Sequence, residues 1–465
     1  MKELKEKLFY SPKNGYDRIK ENEKDAIMEM GADYIKFLNN ARTERAATSY
    51  AAQLAEQNGF VLYTEGMQLE PGSRVYAINR HKSIILAVIG KNGTAAGARI
   101  AAAHVDAPRI DLKPRPFAEE RPELLMLRTH YYGGVKKYQW AAIPLAMMGV
   151  VALKDGSVVD IEIGTKPGDP VFTITDILPH LAKDQMGKTG GGIITGEGLR
   201  VLVGSIPMGE DGGDRVKLNI LNMLNEQYGI VEEDFLSAEL SIIPAFDAVD
   251  VGMDRGLVGG YGQDDRSCAY AELVSLFGQK LPEKTAMCVF ADKEEIGSEG
   301  ATGMKSQFLE NFIEGLLKAE GADCSVQSVM SRSECLSADV SAAFDPLYGG
   351  AYEYSNSSYA NYGLGVAKYV GSGGKSGTND ANAEFMAKLR RAFDDAGVVW
   401  HTCELGAVDQ GGGGTVAKFM AQRDIETIDV GVPVLSMHSP FEVVSKLDVY
   451  MTAKAITAFF GMDCE

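Results

Sequence analysis

Two adjacent glutamates follow a buried strand in this sequence, and this arrangement constrains the fold most strongly. The apolar run Thr285–Phe290 predicts a buried strand, and Gly297 and Gly300 predict a loop after it. Glu294 and Glu295 therefore lie at the mouth of a predicted sheet, where neighbouring carboxylates repel and raise each other's pKa. A cation between them, or the reservation of one for proton transfer, would relieve this repulsion. The alternative is a solvated acidic turn, so the pair needs partners elsewhere in the chain.

The composition indicates a globular protein with more than one domain. A chain of 465 residues with 45% hydrophobic and 24% charged residues is long enough for two cores. It has no apolar run of membrane-spanning length and Met1–Lys7 lacks the apolar stretch of a secretory signal, so we expect a cytoplasmic protein without membrane contact. The net charge of −18 disfavours nucleic acid as a partner. The six cysteines lack paired short spacings, which disfavours disulfides or a thiolate zinc site.

The character of the sequence changes between residues 110 and 242. Short alternating runs of valine and isoleucine, such as Ser157–Gly164, are separated here by glycine, proline and aspartate. We therefore predict an inserted β-rich domain at 110–242. The flanking segments 1–109 and 243–465 would together form one α/β domain.

Five more residues with metal-ligand or supporting chemistry occur at predicted strand ends and turns of the α/β domain. One buried strand ends with His104 and Asp106, which point to the same side in extended geometry, so the carboxylate can fix the imidazole. Asp264 lies in a glycine-rich turn before a helix, where it could bridge two metals or simply cap the helix. Asp339 lies among small residues, and His438 follows a buried strand. Two histidines and three carboxylates can hold two zinc ions if one carboxylate bridges them, which leaves one glutamate as a base.

Five motifs, in this order and spacing, resemble those of the aspartyl aminopeptidase family of dizinc metallopeptidases. They are His104–Arg109, Gln263–Arg266, Asp292–Ser298, Ser337–Val340 and Met437–Pro440. The resemblance covers nearly the whole chain and implies a phosphorylase/peptidase-like mixed sheet flanked by helices and interrupted by the inserted domain. In that family the inserted domain mediates dimerisation and helps to build a tetrahedral dodecamer.

The resemblance also implies a ligand set. His104 and Asp339 would hold one zinc ion, Glu295 and His438 the other, and Asp264 would bridge them. Cobalt and manganese are possible substitutes, because they accept the same nitrogen and oxygen donors.

The catalytic roles are likewise implied by the resemblance. Glu294 would be the general base that takes a proton from the attacking water and passes it to the leaving amine. Asp106 would support catalysis from behind His104. The peptide bond between Asp264 and Asp265 would be cis.

Two features bear on the choice of substrate. Members of the family carry a Trp-His pair in the inserted domain whose histidine steadies the oxyanion in a neighbouring subunit, whereas the corresponding stretch Tyr131–Trp140 carries Lys136 and Lys137 here. Lys375 occupies the position of a basic residue that could bind an acidic substrate side chain. Both a preference for N-terminal Asp or Glu and a neutral or broad specificity are compatible with the sequence.

We therefore expect a metallo-aminopeptidase that removes the N-terminal residue from peptide substrates. A dizinc deacylase or carboxypeptidase, and a non-catalytic assembly protein on the same fold, are the alternatives. Glu294 argues against the last of these, because a structural protein gains little from an extra carboxylate beside a metal ligand.

Overall fold

The computed structural model describes residues 2–120, 123–209 and 212–463. Five of the six cysteines lie in these ranges and are free thiols, namely Cys268, Cys288, Cys324, Cys335 and Cys403. The sixth, Cys464, lies outside the described residues. None of the helices in the described ranges has both the length and the apolar character needed to cross a membrane.

Helices and strands alternate in the outer parts of the chain, whereas strands dominate its middle. The helices are α1 (Lys2–Leu8), α2 (Glu23–Asn40), α3 (Glu44–Gln57), α4 (Lys183–Met186), α5 (Arg215–Tyr228), α6 (Gln263–Phe277), α7 (Phe308–Glu320), α8 (Val326–Met330), α9 (Ala383–Asp395), α10 (Ala417–Ala421) and α11 (Lys446–Phe460). The strands are β1 (Val61–Leu62), β2 (Arg74–Asn79), β3 (Ser83–Val88), β4 (Ala98–His104), β5 (Arg109–Glu120), β6 (Leu124–Tyr132), β7 (Leu145–Ala152), β8 (Val158–Ile163), β9 (Val201–Gly204), β10 (Ala238–Pro244), β11 (Val249–Val251), β12 (Leu257–Gly260), β13 (Thr285–Ala291), β14 (Glu334–Ala338), β15 (Ser341–Ala342), β16 (Leu364–Ala367), β17 (Trp400–Thr402), β18 (Glu426–Gly431), β19 (Pro433–Leu435) and β20 (Glu442–Ser445).

The largest sheet carries helices on both faces. Among the described residues its strand order is β1-β2-β3-β13-β4-β14-β18-β16-β17, and the neighbours β13, β4, β14 and β18 run parallel. Side chains of β3 divide between two cores: Ile84 and Leu86 pack with α2, α3, α6 and α11, while Ile85 and Ala87 pack with α7 and α10. Because successive strand residues point to opposite faces, the result is a layered α/β domain, as the sequence predicts.

A second sheet is formed by strands between residues 109 and 244. Its order is β8-β7-β10-β5-β6-β9, and every pairing is antiparallel. It has a core of its own, in which Trp140, Leu199 and Ile242 are completely buried. Helix α5 packs on β5, β6 and β9 and is an element that the β-rich interpretation did not include.

The two sheets meet close to a predicted metal ligand. Strand β4 ends at His104, and β5 of the second sheet begins only a few residues later, at Arg109. A third sheet, β11-β12-β20-β19-β15, holds the turn between β19 and β20 that carries His438. The second sheet therefore begins beside the edge of the first sheet where the candidate ligands gather.

Candidate metal centre

Three parallel strands deliver site residues to one edge of the largest sheet. Strand β4 ends at His104, the turn after β13 carries Glu294 and Glu295, and Asp339 directly follows β14. The carboxyl ends of neighbouring parallel strands lie at the same edge of a sheet, which is where α/β proteins bind their ligands. Residues that are distant in sequence are therefore neighbours in space.

Asp264 lies between the two predicted histidine ligands. It belongs to the first turn of α6, where its backbone angles (φ −82, ψ 105) are not helical. Its Oδ1 lies 3.0 Å from His104 Nε2, and its Oδ2 lies 3.1 Å from His438 Nε2. The Asp264–Asp265 peptide bond is cis, as the resemblance implies. The two oxygens of one carboxylate thus face two different imidazoles.

The other predicted ligands surround this bridge. Glu295 Oε1 lies 3.4 Å from His438 Nε2, and Asp339 Oδ1 lies 3.9 Å from His104 Nε2. In each of two groups of three residues the potential ligand atoms lie within 4.8 Å of one another: His104, Asp264 and Glu295, and His104, Glu294 and Asp339. The structure therefore gathers all five predicted ligands, together with Glu294, in one cluster.

Backbone carbonyls orient both imidazole rings. The Nδ1 atom of His104 lies 3.0 Å from the carbonyl oxygen of Asp106 and 3.3 Å from its Oδ1. The Nδ1 atom of His438 lies 3.0 Å from the carbonyl oxygen of Gly134. The tautomer assigned from this network has the proton on Nδ1, so each Nε2 is left to bind a metal next to Asp264.

Asp106 supports more of the cluster than its predicted place behind His104 implies. Its buried carboxylate accepts hydrogen bonds from the backbone N–H groups of Glu294 (3.1 Å) and Glu295 (3.2 Å) and from the hydroxyl of Tyr132 (2.7 Å). Burial by itself raises the pKa of Asp106, but hydrogen bonds with His104 and Tyr132 outweigh burial and hold the pKa below its usual value. An ionised Asp106 therefore fixes both a histidine and the glutamate pair.

Glu442 is a functional residue that the sequence reasoning missed. Its Oε2 accepts the backbone N–H of Asp264 at 3.1 Å, and its Oε1 accepts the backbone N–H of His438 at 2.7 Å. Burial and the negative charge of Asp264 raise the pKa of Glu442 to about 7. The available signal was an acidic residue directly before two valines in strand β20, shortly after the Met-His-Ser-Pro motif.

The electrostatics of the cluster favour a cation. Burial raises the pKa of Glu294 to about 7. Burial and the charge of Asp264 raise the pKa of Glu295, and burial and the charge of Asp265 raise the pKa of Asp339. Within the described parts of the chain, the buried Oε1 of Glu295 has no hydrogen-bond partner. Imidazole nitrogens and carboxylate oxygens are the donors of catalytic zinc sites, so these residues fit zinc.

Lys375, the predicted substrate-binding residue, and Lys137, a candidate for the missing oxyanion histidine, contact side chains outside this cluster. Lys375 is 44% exposed, lies 3.1 Å from Asp380 Oδ2, and places its Nζ 3.7 Å from the centre of the Tyr369 ring. The Nζ of Lys137 lies 5.5 Å from the centre of the Tyr131 ring. A role for Lys375 in substrate binding stays a prediction.

A buried cluster of imidazoles and carboxylates at the carboxyl edge of an α/β sheet defines the protein as a metal-dependent hydrolase. The sequence model of the family described as "Aminopeptidase I zinc metalloprotease (M18)" matches residues 37–460. The chain belongs to the M18 family of zinc aminopeptidases. The resemblance to aspartyl aminopeptidases is thereby confirmed, and the enzyme is a zinc metalloprotease of the aminopeptidase class.

Individual relatives agree with this assignment. The chain is 45% identical over 462 residues to the probable M18 family aminopeptidase 1 of Clostridium acetobutylicum. This alignment covers 98% of this chain and 99% of the relative. The crystal structure of an M18 family aminopeptidase from Thermotoga maritima superposes with a TM-score of 0.93 at 41% identity, covering 97% of this chain and 99% of that one. The mApe1 dodecamer of S. cerevisiae, at 20% identity, shares the fold with a TM-score of 0.75 over 94% of this chain and 97% of that one.

Zinc binding is expected to weaken as the pH falls. Burial lowers the pKa of His438, but the hydrogen bond with Asp264 outweighs it and raises the pKa to about 10 before a metal binds. If His438 binds zinc, the ion must displace this proton and also the proton of any cluster carboxyl group whose pKa is raised above the working pH, so binding releases protons. We expect the zinc Kd to increase by roughly tenfold or more for each unit of pH from about 8 to 6.

The measurement is a competition titration with a chromophoric chelator, corrected for the chelator's own protonation. A His81→Gln variant is the control, because His81 lies in an exposed turn and its replacement leaves the slope unchanged. A Kd that does not vary with pH would contradict the displacement of protons.

Proposed function

We propose that this zinc aminopeptidase holds two zinc ions in each chain. His104 and Asp339 would bind one ion, Glu295 and His438 the other, and Asp264 would bridge both. The observation that carries this proposal is the position of the Asp264 carboxylate, whose two oxygens lie 3.0 Å and 3.1 Å from the Nε2 atoms of two different histidines. Cobalt or manganese would fit the same donors.

We propose Glu294 as the general base. Zinc in such a site acts as a Lewis acid and lowers the pKa of water. The carboxylate of Glu294 would accept the proton of the attacking water and deliver it to the nitrogen of the leaving amine. One carboxylate oxygen of Glu294 lies within 4.8 Å of a ring nitrogen of His104 and of a carboxylate oxygen of Asp339. Before a metal binds, burial raises the pKa of Glu294 to about 7.

Asp106 would keep this base in position. It accepts the backbone N–H of Glu294, and it also contacts the ring of His104. Because one buried carboxylate holds both groups, the base and a metal ligand would keep a fixed separation during the reaction.

We propose that Lys375 favours acidic N-terminal residues in peptide substrates. The groove that its loop lines, residues 369–375 and 404–411, shares Val370, Glu404 and Leu405 with a cavity that reaches Asp339. A substrate bound at the metal cluster could therefore extend its first side chain towards this loop. In a protein of net charge −18, a local cation would offset the repulsion of an acidic side chain.

We further propose that residues 110–242 are a dimerisation domain inserted into a catalytic domain of residues 1–109 and 243–465, and that dimers assemble into a tetrahedral dodecamer. Large apolar side chains are exposed on this segment, including Leu181 (68%) and Met186 (72%), which supports contact with a second copy. The related yeast structure is described as a dodecamer. The free thiols support a reducing, cytoplasmic location.

Replacement of the base is expected to separate turnover from zinc binding. Glu294→Gln should lower kcat by roughly 10²–10⁴-fold, because the amide cannot accept the proton. The zinc content, measured by atomic emission, should stay unchanged because the proposed ligands remain. Glu299→Gln is the matched control, since Glu299 lies exposed in the same loop and contacts Lys305. A Glu294→Gln enzyme that keeps its kcat would reject the role.

Replacement of Lys375 is expected to change specificity. For Lys375→Ala, kcat/KM for peptides with N-terminal Asp or Glu should fall roughly tenfold more than for peptides with N-terminal Leu or Ala, because a charged hydrogen bond is lost. Lys375→Arg should keep part of the preference, and Lys188→Ala, an exposed lysine of another loop, should change neither class. An equal loss on both classes would reject the proposal.

If the exposed apolar side chains of residues 110–242 form a contact between subunits, charges placed there should reduce the mass of the assembly. Leu181→Asp combined with Met186→Asp should shift the sedimenting species from a dodecamer to a smaller one, because two charges would be buried at a contact. Lys188→Asp, which adds negative charge nearby without removing an apolar side chain, is the control. A monomeric wild-type chain would contradict the assembly.

A further inference from the structure

Three consecutive residues, at and just after the end of a strand of the second sheet, reach the metal cluster. Tyr132 is the last residue of β6, and Gly133 and Gly134 follow it. Tyr132 contacts Asp106, and Gly134 contacts His438. Gly133 lies so close to Glu295 that a Cβ added to it would be 3.2 Å from Glu295 Cβ.

Tyr132 completes the hydrogen bonding of Asp106. Its hydroxyl donates to Asp106 Oδ2 at 2.7 Å, the shortest of the hydrogen bonds to this carboxylate. The same oxygen accepts the backbone N–H of Glu295, and the other oxygen accepts that of Glu294. A hydroxyl bonded to an ionised, buried carboxylate strongly restricts the orientation of that carboxylate. By fixing Asp106, the hydroxyl of Tyr132 thus helps to fix the backbone N–H groups of Glu294 and Glu295.

The ring of Tyr132 is itself held in place. The guanidinium of Arg109, its partner on the neighbouring strand β5, lies 3.9 Å from the centre of the ring. Arg109 in turn donates to Asp111 at 2.8 Å and pairs with Glu44 of helix α3 at 3.5 Å. The ring therefore lies against an arginine that is held by the second sheet and by helix α3, and its hydroxyl has little freedom to leave Asp106.

Gly133 and Gly134 bring the backbone to the ligands on the other side of the cluster. The carbonyl of Gly134 is the partner of His438 Nδ1 at 3.0 Å. A Cβ on Gly134 would lie only 3.1 Å from that nitrogen, and a Cβ on Gly133 would lie 3.2 Å from Glu295 Cβ. Gly133 also has a φ of +72°, a region that residues with a side chain rarely adopt. Both positions need glycine so that the carbonyl can approach His438.

We propose that Tyr132–Gly134 is a positioning segment of the metal centre, in which Tyr132 orients Asp106 and the carbonyl of Gly134 orients His438. This inference rests on the proposed zinc site. It makes the second sheet part of the catalytic unit of its own chain, in addition to any role in assembly. Groups that hold metal ligands in this way typically change metal affinity or activity by roughly 10–100-fold when they are removed.

The test begins with Tyr132→Phe, which removes only the hydroxyl. We expect the zinc Kd, measured by chelator competition, to increase by roughly tenfold and kcat to fall by roughly tenfold, while KM changes by less than about twofold. Tyr131→Phe is the matched control, because Tyr131 precedes Tyr132 on the strand, points to its other face and contacts His130 and Lys137. Unchanged zinc affinity and kcat in Tyr132→Phe would overturn the role of the hydroxyl.

A double-mutant cycle with Asp106→Ala separates positioning from a general loss of packing. If Tyr132 acts through Asp106, Tyr132→Phe should cause no further loss of zinc affinity in the Asp106→Ala background. Additive losses would show that Tyr132 acts independently of Asp106 and would overturn the proposal.

A glycine substitution tests the His438 contact without touching Tyr132. Gly134→Ala should weaken zinc binding by roughly tenfold, because the methyl group displaces the ring of His438. Gly191→Ala, at a position where a Cβ would meet no atom of the described residues within 4 Å, should not change the zinc affinity. Equal zinc affinity in the two variants would overturn the role of Gly134. Wild-type protein that binds no zinc would instead reject the proposed metal site on which this inference rests.

Discussion

The negative charge buried at the edge of the largest sheet is the constraint on which the site depends. Asp264, Glu294, Glu295 and Asp339 crowd around two imidazoles, and burial raises the pKa of three of these four carboxyl groups. Such a cluster is costly unless cations neutralise it. The surrounding structure is arranged to hold the charge in place: backbone N–H groups bond to Asp106 and Glu442, while backbone carbonyls bond to the Nδ1 atoms of the histidines.

Two buried carboxylates that are not proposed as ligands organise the chain around the cluster. Asp106 joins the turn after β13 to the end of β4, and Glu442 joins the first turn of α6 to the turn between β19 and β20. Each therefore ties together segments that are far apart in sequence. Because a hydrogen bond to an ionised or buried carboxylate is strong and directional, each carboxylate keeps the two segments that it joins in a fixed relation.

Two chain segments connect the second sheet to the metal cluster at the edge of the largest sheet. The second sheet begins at Arg109, directly after the segment that carries His104 and Asp106, and its neighbouring strand returns Tyr132 to Asp106. The antiparallel pairing of Arg109 with Tyr132 brings this return about, since it places the end of β6 beside the start of β5. The second sheet is thereby joined to the metal cluster.

The sequence by itself determined the class of fold, the family and the residues that gather at the cluster, because apolar runs that end at or shortly before His104, Glu294, Glu295 and Asp339 carry the strand pattern and the ligand chemistry together. The cis peptide bond between Asp264 and Asp265 was expected from the resemblance to the family. Only the tertiary structure decided which groups orient the ligands. Glu442, Tyr132 and the carbonyl of Gly134 act through contacts between distant segments, and a backbone carbonyl leaves no signature in the residue type that bears it. Strand register and sheet packing, which a single sequence does not encode locally, set those contacts.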